Sequence, residues 1–287
     1  MYEKHAVAIV RYENDPCKFV ETIKALSKTY RVFVYDNSIL PITDYGENVT
    51  YIHNASNPGL GFALNQVIST AKSAGYETVT YFDQDSEMNV VLVDQLICNF
   101  TKLRLLDECV IACGPQPLTA DGKNYPINKS DNFLTPSHVE CSELITSGMT
   151  FDLNAATLIG GFNEALFLDL VDFEFCWRAV KKGYKVILCR NVTMMHQVGE
   201  MAINIFGRLL PISKPMRNYY QIRNLILIYQ QDNFASHIVG VRYIFRRFVN
   251  ILLNLMLAER RAERILWNIR GIRDGILQRG GQFSVKK

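Results

Sequence analysis

Short apolar runs alternate with amphipathic segments through the first part of the chain. The apolar runs, which predict buried strands, cover residues 6–12, 31–35, 50–53, 77–82 and 110–113. The segments between them predict helices over residues 17–26, 60–74 and 90–106. This alternation predicts an α/β fold, in which a mostly parallel sheet has helices on both faces. Ligands of such sheets bind beyond the carboxyl ends of the strands.

The pattern changes twice further along the chain. Residues 115–136 contain many proline and polar residues, which predict a long loop or an irregular excursion. The predicted elements that follow are a strand over 143–151, a helix over 171–182 and a strand over 184–189. From about residue 211 the pattern is helical. We therefore expect a Rossmann-like α/β domain at residues 1–210 and a helical extension at residues 211–287.

Charge is distributed unevenly along a chain of otherwise ordinary globular composition. Of its 287 residues, 48% are apolar and 21% are charged, and the formal net charge is +3. Residues 236–287 hold eleven lysine or arginine residues and three acidic ones, so this segment carries +8 and the remainder −5. An anionic surface is the partner that such an asymmetry favours.

The basic segment also has an amphipathic helical pattern. Its apolar face contains Phe245, Phe248, Val249, Leu252, Leu255 and Met256. The longest uncharged apolar stretch, residues 248–258, is too short to span a bilayer. A basic amphipathic helix of this kind is typical of peripheral binding to an anionic membrane. The alternative is a pair of helices that packs on the core or on a second subunit, in a homo-oligomer.

Cysteine usage and the start of the chain both favour an intracellular location. The seven cysteines are an odd number without CxxC spacing, which argues against a disulfide framework or a zinc ribbon. Residues 1–5 lead into a short apolar strand rather than into the apolar core of a signal peptide. We expect a cytoplasmic protein.

Two polar clusters follow predicted strands in the first quarter of the chain. Asp36 begins an Asp-Asn-Ser sequence, whose carboxylate suits a base or ribose but whose composition is also that of a turn. The segment from Asn57 to Gly61 opens a predicted helix, and Asn65 lies about one turn further on. Its glycines allow the backbone to approach a ligand closely, although an ordinary helix entry has the same residues.

The sequence Asp83-Gln84-Asp85 ends the predicted strand at residues 77–82. Two carboxylates at positions i and i+2 of an extended chain lie on one face. Such paired oxygen ligands suit Mg²⁺ or Mn²⁺, which in turn bridge substrate phosphates. A solvated turn that caps the next helix is the alternative. His196, after a later strand, is a candidate third ligand, although a lone histidine is more often structural.

An acidic and aromatic segment surrounds Asp172. In a helix, Glu174 and Arg178 form an i, i+4 ion pair on one face, which leaves Asp172 near the helix N-terminus. A carboxylate there is a common helix cap. It is also a candidate general base, because that role needs a carboxylate within hydrogen-bond reach of an acceptor hydroxyl.

In their order along the chain, these motifs resemble those of family 2 glycosyltransferases with the GT-A fold. The resemblance covers roughly residues 5–230 and is strongest to bacterial rhamnosyltransferases that build surface polysaccharides. The matching segments are Asp36, 57–61, 83–85, 146–148, Asp172 with Arg178, and His196. Residues 167–172 match the rhamnosyltransferase pattern Phe-x-Asp-x-x-Asp, although Val171 stands where family members often have Glu. Residues 219–224 resemble the helix that such enzymes carry after the core.

The resemblance implies a role for each matched residue. The donor nucleotide would be bound by Tyr12, Asp36, Asn57, Gly59, Asn65 and Asp83. The sugar or acceptor side would be formed by Ser147, Gly148, Asp169 and Arg178. Mg²⁺ or Mn²⁺ would be held by Asp85, with Asp83 and His196. Asp172 would be the catalytic base.

The implied reaction is a single in-line displacement with inversion. It would move L-rhamnose from dTDP-β-L-rhamnose to a hydroxyl of a lipid-linked saccharide in O-antigen or cell-wall polysaccharide synthesis. Such an acceptor would place the protein peripherally on the inner face of the bacterial cell membrane. The alternatives are a transferase of the same fold that uses a UDP-hexose and a non-catalytic, sugar-nucleotide-binding scaffold protein. Nucleic acid is not an expected partner, because acidic turns should line the cleft.

Overall fold

The central sheet of the computed structural model follows the predicted strands closely. The structure describes residues 4–13, 15–42, 44–119, 122–125, 132–195, 201–205, 208–212 and 214–284. Within them the large sheet consists of β1 (His5–Arg11), β2 (Arg31–Asp36), β3 (Val49–His53), β4 (Thr78–Asp83), β5 (Val110–Leu118), β6 (Asn132–Thr135), β7 (His138–Cys141), β8 (Met149–Asp152) and β9 (Lys185–Met195). The strand order is β3-β2-β1-β4-β8-β5-β9-β7-β6.

Helices connect and cover these strands. They are α1 (Pro16–Ser27), α2 (Leu60–Ser73), α3 (Val90–Leu106), α4 (Leu153–Ile159), α5 (Val171–Lys181), α6 (Pro215–Gln230), α7 (His237–Leu257) and α8 (Arg261–Ile276), with a 3-10 turn at Glu164–Leu166. A separate antiparallel pair, β10 (Met201–Ile205) and β11 (Arg208–Ile212), precedes α6. Side chains cap several helix starts: the Asn89 side chain accepts from the N–H of Leu92, and the Ser236 side chain accepts from Val239.

The sequence prediction of an α/β fold with helices on both faces is confirmed. The sheet is more mixed than expected, because β8 runs antiparallel between β4 and β5, and the β6–β7 hairpin adds antiparallel strands beside β9. The strand predicted over 143–151 begins only at Met149. The loop predicted over 115–136 contains the end of β5 and strand β6; the prolines of β5 are accommodated where its register with β9 shifts.

Alternate residues of the central strands pack in two layers, one on each face of the sheet. On β1, Ala6 and Ala8 belong to one core cluster, whereas Val7 and Ile9 belong to the other. The first cluster contains the rings of Tyr81, Phe151, Phe162, Phe175 and Trp177. Burial on both faces explains why these strands appear in the sequence as continuous apolar runs.

Helix α6 is integrated with the core. Leu227 and Ile228 belong to the same apolar cluster as Trp177 of α5. Helix α8 packs closely on α6, because Gly271 and Gly275 lack side chains: a Cβ on Gly271 would lie 2.7 Å from the carbonyl oxygen of Tyr219. Helix α8 is therefore joined to the core through α6, while α7 also contacts the core directly, through the Tyr243 ring against Trp177 of α5.

Candidate active site

The Asp83-Gln84-Asp85 turn lies at the carboxyl end of β4 and is tied to its neighbours on two sides. The Gln84 side chain accepts a hydrogen bond from the N–H of Tyr12 (2.6 Å) and donates one to the Tyr12 carbonyl (2.9 Å). On the other side, the Ser147 hydroxyl accepts from the N–H of Asp83 (3.3 Å) and bonds the Ser86 hydroxyl. The turn is thus fixed between β1 and the segment before β8.

Ser147 and Gly148 support this turn from beneath. Both residues are buried, and the hydroxyl of Ser147 is directed to the turn. Gly148 has a φ of +77°, and a Cβ there would lie 2.7 Å from the Pro115 ring. Ser147 therefore supports the Asp83-Gln84-Asp85 turn directly, and Gly148 allows the chain to pass close to Pro115.

Asp172 occupies the first turn of α5, close to the Asp83 turn. Its half-buried carboxylate accepts hydrogen bonds from the N–H groups of Thr146 (3.1 Å) and Phe173 (2.9 Å). Burial raises the pKa of Asp172 to about 6, and these N–H groups oppose the increase. A carboxylate with such a pKa binds a proton more strongly than an ordinary aspartate, which improves it as a general base.

Four carboxylates meet at this end of the sheet. Burial, followed by the charges of Asp172 and Asp85, raises the pKa of Asp83 to about 7. Asp85 is exposed, and Asp169 lies just before α5, where its carboxylate forms a two-pronged ion pair with Arg217. The guanidinium of Arg217 acts in the opposite direction on Asp83 and lowers its pKa. Four sequence candidates are thus gathered in one place.

Arg217 was not among the residues singled out from the sequence. It lies in the first turn of α6, two residues after Pro215, and so reaches the acidic cluster from the C-terminal part of the chain. The proline marks the helix start, but no spacing in the sequence relates Arg217 to Asp169, 48 residues earlier. Only the packing of α6 on the core brings the two together.

Asp83 and Asp85 fit a divalent cation that takes its other ligands from a substrate. Mutual repulsion and burial hold the pKa of Asp83 near 7, and a cation beside both carboxylates would relieve that cost. Across the described ranges, no group of three or more histidine, cysteine or acidic side chains has metal-binding geometry. A two-carboxylate site suits Mg²⁺ or Mn²⁺, which bind through one or two carboxylates together with phosphate oxygens. His196 lies outside the described residues.

Asp36 is engaged entirely by protein groups. Its carboxylate is 0% exposed. It accepts hydrogen bonds from Arg11 (2.7 Å), the Tyr51 hydroxyl (2.7 Å) and the N–H of Ser38 (2.9 Å). These donors lower its pKa against the effect of burial. In this arrangement a nucleotide base would contact Asp36 only by replacing one of these donors.

The Asn57–Gly61 segment is directed at another part of the protein. Gly59 has a φ of +106°, and a Cβ there would lie 2.6 Å from the Phe167 side chain. The N–H of Leu60, at the start of α2, donates to the Phe167 carbonyl (2.7 Å). Asn65 bonds the main chain of Phe162 in both directions, at 2.9 and 2.8 Å. The glycines therefore allow close approach of residues 163–167.

Arg178 lies away from Asp172, toward the other end of α5. The predicted pair with Glu174 is present, with N–O distances of 2.9 and 3.0 Å. The same guanidinium donates to the carbonyls of Ile159 (2.7 Å) and Gly161 (2.6 Å). Arg178 thus supports the turn after α4.

Tyr12 directly follows β1 and lies beside the Asp83 turn, with 52% of its surface exposed.

The chain is similar in sequence to a known transferase and in structure to many solved protein chains, including GalNAc-T7 and TarS. No protein-family model matches the chain. It is 27% identical over 250 residues to the dTDP-rhamnosyl transferase RfbF of Shigella flexneri. The aligned region covers 83% of this chain and 82% of RfbF. A structure of GalNAc-T7 with UDP, GalNAc and Mn²⁺ superposes with a TM-score of 0.55, at 15% identity. Staphylococcus aureus TarS gives 0.50, at 16% identity.

The structural matches extend over most of this chain but over less than half of the larger proteins. They cover 79% of this chain and 49% of GalNAc-T7, and 78% of this chain and 39% of TarS. At such identities the superpositions establish the fold. With the sequence relative, they make the chain a glycosyltransferase of the GT-A fold, distantly related to RfbF.

Proposed function

We propose that this chain is an inverting, metal-dependent glycosyltransferase that moves L-rhamnose from dTDP-β-L-rhamnose to a hydroxyl of a lipid-linked saccharide. One observation carries the catalytic part of the proposal: Asp172, with a pKa near 6, stands beside the Asp83-Gln84-Asp85 turn at the carboxyl end of β4. The donor is proposed from the relative, a dTDP-rhamnosyl transferase, at 27% identity.

Asp172 is the proposed general base. Its carboxylate takes the proton of the acceptor hydroxyl as that oxygen forms a bond to the anomeric carbon. The bond from this carbon to the diphosphate oxygen breaks, and its electron pair leaves with dTDP. Because the new bond forms on the face opposite the leaving group, the anomeric configuration is inverted. Two backbone N–H groups hold the Asp172 carboxylate in place for this step.

Asp85 and Asp83 are the residues that would hold Mg²⁺ or Mn²⁺. The cation would supply Lewis-acid stabilisation of the charge that develops on the departing diphosphate. Gln84 keeps the two carboxylates in register with β1 through its paired bonds to Tyr12. We include His196 as a further candidate ligand from its place in the sequence.

The nucleotide pocket is proposed to lie between the ends of β1, β2 and β4. The exposed ring of Tyr12 offers a stacking surface for the base, and Asp83 lies where the ribose and diphosphate would pass. Asp36 contributes by holding Arg11 and Ser38 in the pocket wall. Asn57, Gly59 and Asn65 shape the neighbouring loop, and Ser147 and Gly148 lie beside the acidic cluster. Arg178 supports the site from further away, through the turn after α4.

The C-terminal helices are the proposed contact with an anionic membrane. No helix in the described part of the chain is long and apolar enough to cross a bilayer. Helix α7 carries a stripe of exposed apolar residues spaced three or four apart: Ile238, Val241, Phe245, Phe248, Leu252 and Met256. Arg242 and Arg246 are also exposed on this helix. Apolar insertion with flanking arginines suits peripheral binding at the inner face of the cell membrane, where a lipid-linked acceptor resides.

Hydrolysis and transfer from a panel of nucleotide sugars, with and without Mn²⁺, test the proposal. We expect turnover of dTDP-β-L-rhamnose that needs Mg²⁺ or Mn²⁺. Preferential turnover of a UDP-hexose would support the proposed metal-dependent glycosyl transfer but would show that the donor is not dTDP-β-L-rhamnose. Turnover that persists after metal removal would contradict the roles of Asp83 and Asp85. Binding without turnover, with an Asp172→Asn variant that still supports polysaccharide synthesis in cells, would identify a scaffold protein instead.

A further inference from the structure

The loop before α5 has an unusual backbone. Phe167, Asp169 and Leu170 have φ values of 61°, 62° and 65°, in the left-handed region that non-glycine residues rarely adopt. Leu170 has the αL conformation, whereas Phe167 has a ψ of −60° and a different backbone conformation. Three such residues within four positions persist only where surrounding contacts fix them. The loop leads directly into α5, and it carries Asp169 and sets the position of Asp172.

Asn224, near the middle of α6, holds this loop through its main chain. The side-chain amide of this buried residue donates to the carbonyls of Leu166 (2.9 Å), Leu168 (2.6 Å) and Asp169 (2.8 Å). One side chain therefore contacts the carbonyl on each side of Phe167 and that of Asp169, two residues with positive φ. The Leu166 carbonyl also accepts a hydrogen bond from the N–H of Leu168 (2.7 Å), so Asn224 adds side-chain bonds to a loop that lies outside regular secondary structure.

Arg223 orients Asn224 and joins the loop to the C-terminal segment. Its guanidinium, 0% exposed, donates to the Oδ1 of Asn224 (3.0 and 2.8 Å), which turns the amide nitrogen toward the loop. It also donates to the carbonyls of Leu166 (2.8 Å), Ala165 (3.1 Å) and Gly281. The planar fork of an arginine makes several such bonds at once, which a lysine does not.

The surroundings of Arg223 keep this arrangement rigid. Its guanidinium lies over the rings of Tyr219 and Tyr220, at 5.3 and 4.9 Å from their centres. The segment after α8 adds a further bond, from the N–H of Gly281 to the carbonyl of Ala165 (2.8 Å). Residues 219–224, for which the sequence offered no role, thus form one unit facing the loop.

We infer that Arg223 and Asn224 are positioning residues: they hold the left-handed loop so that Asp169 and Asp172 meet the Asp83 turn in the geometry that catalysis needs. Neither residue is placed in contact with the substrate. The assignment rests on the proposed function, since it concerns delivery of the general base. It also makes a structural claim about the loop that is measurable without substrate.

Two substitutions at one position separate hydrogen bonding from packing. Asn224→Asp keeps the size of the side chain but removes the amide donors, whereas Asn224→Ala also leaves a cavity. Leu227→Ala is the matched control, because Leu227 is buried on the same helix and packs in the apolar core. A residue that only fills space would make Asn224→Ala the worse variant, and a positioning amide makes Asn224→Asp at least as damaging.

The measurements are kcat and KM for the donor, dTDP affinity by calorimetry, and amide hydrogen exchange of residues 163–171. For both Asn224 variants we expect kcat to fall about 30-fold or more, dTDP affinity to change less than about threefold, and exchange to quicken at least about tenfold. Arg223→Lys should follow the same pattern. Leu227→Ala should lower Tm while kcat stays within about threefold at a temperature where it is folded.

Activity of the wild type distinguishes an error in the positioning role of Asn224 from an error in the proposed function. If the wild type transfers rhamnose and Asn224→Asp retains kcat, or loses no more than Leu227→Ala, the positioning role is wrong. If no nucleotide sugar is turned over by the wild type, the proposed function fails first. Hydrogen exchange then still decides the structural claim: equal exchange of residues 163–171 in wild type and Asn224→Asp overturns it.

Discussion

The carboxylates of Asp83 and Asp172 reach the same site from opposite ends of two different elements, and the charge of Asp172 raises the pKa of Asp83. Asp83 ends β4, whereas Asp172 opens α5. Their closeness places the Asp83-Gln84-Asp85 turn beside a second carboxylate with a raised pKa. The arrangement costs stability in the ionised state, because buried like charges repel.

The pH dependence of stability should reveal this cost. Both folded-state pKa values, about 7 for Asp83 and about 6 for Asp172, lie above the ordinary value of 3.8. A raised carboxyl pKa means that the folded protein retains its proton longer than the unfolded chain. The resulting stabilisation is complete below about pH 4 and is lost as pH rises through about 6 to 7.

We therefore expect the Tm of the metal-free protein to fall between pH 5 and 8 through these two groups. Asp83→Asn should flatten that decrease, because its amide does not ionise. Mn²⁺ with dTDP should also flatten it, since the cation stabilises the ionised pair. The measurement is Tm by calorimetry across this range, and identical slopes in wild type and Asp83→Asn would contradict the assignment.

Asp172→Asn should separate activity from stability. The substitution removes the proposed general base and should lower kcat about 100- to 10,000-fold. It also removes a buried charge, so Tm near pH 8 should be equal to or above that of the wild type. Asp232→Asn is the control, because Asp232 is exposed and pairs with Lys181 at the far end of the same helix. A variant that retained more than a tenth of kcat would exclude Asp172 as the base.

Gln84→Ala tests whether the Gln84 side chain holds the Asp83-Gln84-Asp85 turn in the geometry that binds a metal ion. It removes both hydrogen bonds to the Tyr12 main chain but leaves Asp83 and Asp85 intact. We expect Mn²⁺ affinity, measured calorimetrically in the presence of dTDP, to weaken about tenfold. Glu87→Gln removes an exposed charge close to the turn and should have little effect. Equal weakening in both variants would point to general electrostatics rather than to turn geometry.

Gly59→Ala should be far more damaging than Gly75→Ala. Both glycines have positive φ, +106° and +89°, but only Gly59 faces Phe167, at 2.6 Å from the position of a Cβ, while Gly75 faces open space. Backbone strain alone should cost Gly75→Ala about 1 kcal/mol, and the added clash should bring Gly59→Ala to about 3 kcal/mol or more. Urea denaturation measures both, and equal losses would show that the contact with Phe167 is unimportant.

The membrane proposal is tested by replacing Phe245 and Phe248, which are 68% and 56% exposed, with serine. Loss of two inserted aromatic side chains should reduce sedimentation with vesicles containing phosphatidylglycerol about tenfold or more. Leu105→Ser with Leu106→Ser is the control, since these residues are 83% and 85% exposed at the end of α3. Unchanged vesicle binding, combined with a shift from dimer to monomer, would instead identify α7 as a subunit interface.

Much of the fold was predictable because its strands are buried on both faces. The helix predicted over residues 90–106 has those bounds in the structure, and β2, β3 and β4 differ from their predictions by a residue or so. Strand β6, inside a stretch rich in proline and polar residues, was missed because it is exposed and so lacks an apolar pattern. The sheet is mixed in part because β8 pairs with β4 in antiparallel orientation, and no local sequence pattern predicts that pairing.

Within the site, residue type was easier to predict than residue role. Paired carboxylates after β4 carry a recognisable pattern, whereas the positive-φ backbone at Phe167 and Leu170 involves bulky residues with no turn signature. Gly59 and Asn65 are predicted to lie at the nucleotide pocket, and the structure shows them in contact with the loop at residues 162–167. A glycine indicates that another group approaches the backbone closely, and only the tertiary structure shows whether that group is a ligand or another segment of the chain.

The loop that carries Asp169 depends on contacts from late in the chain, which matters during synthesis. Every described strand of the large sheet has been translated once Met195 has been added to the chain. Arg223 and Gly281, which bind residues 165 and 166, follow only afterwards. A nascent chain therefore contains every described strand of the large sheet before it contains the residues that hold the loop before α5, so the contacts that fix this loop are among the last to form.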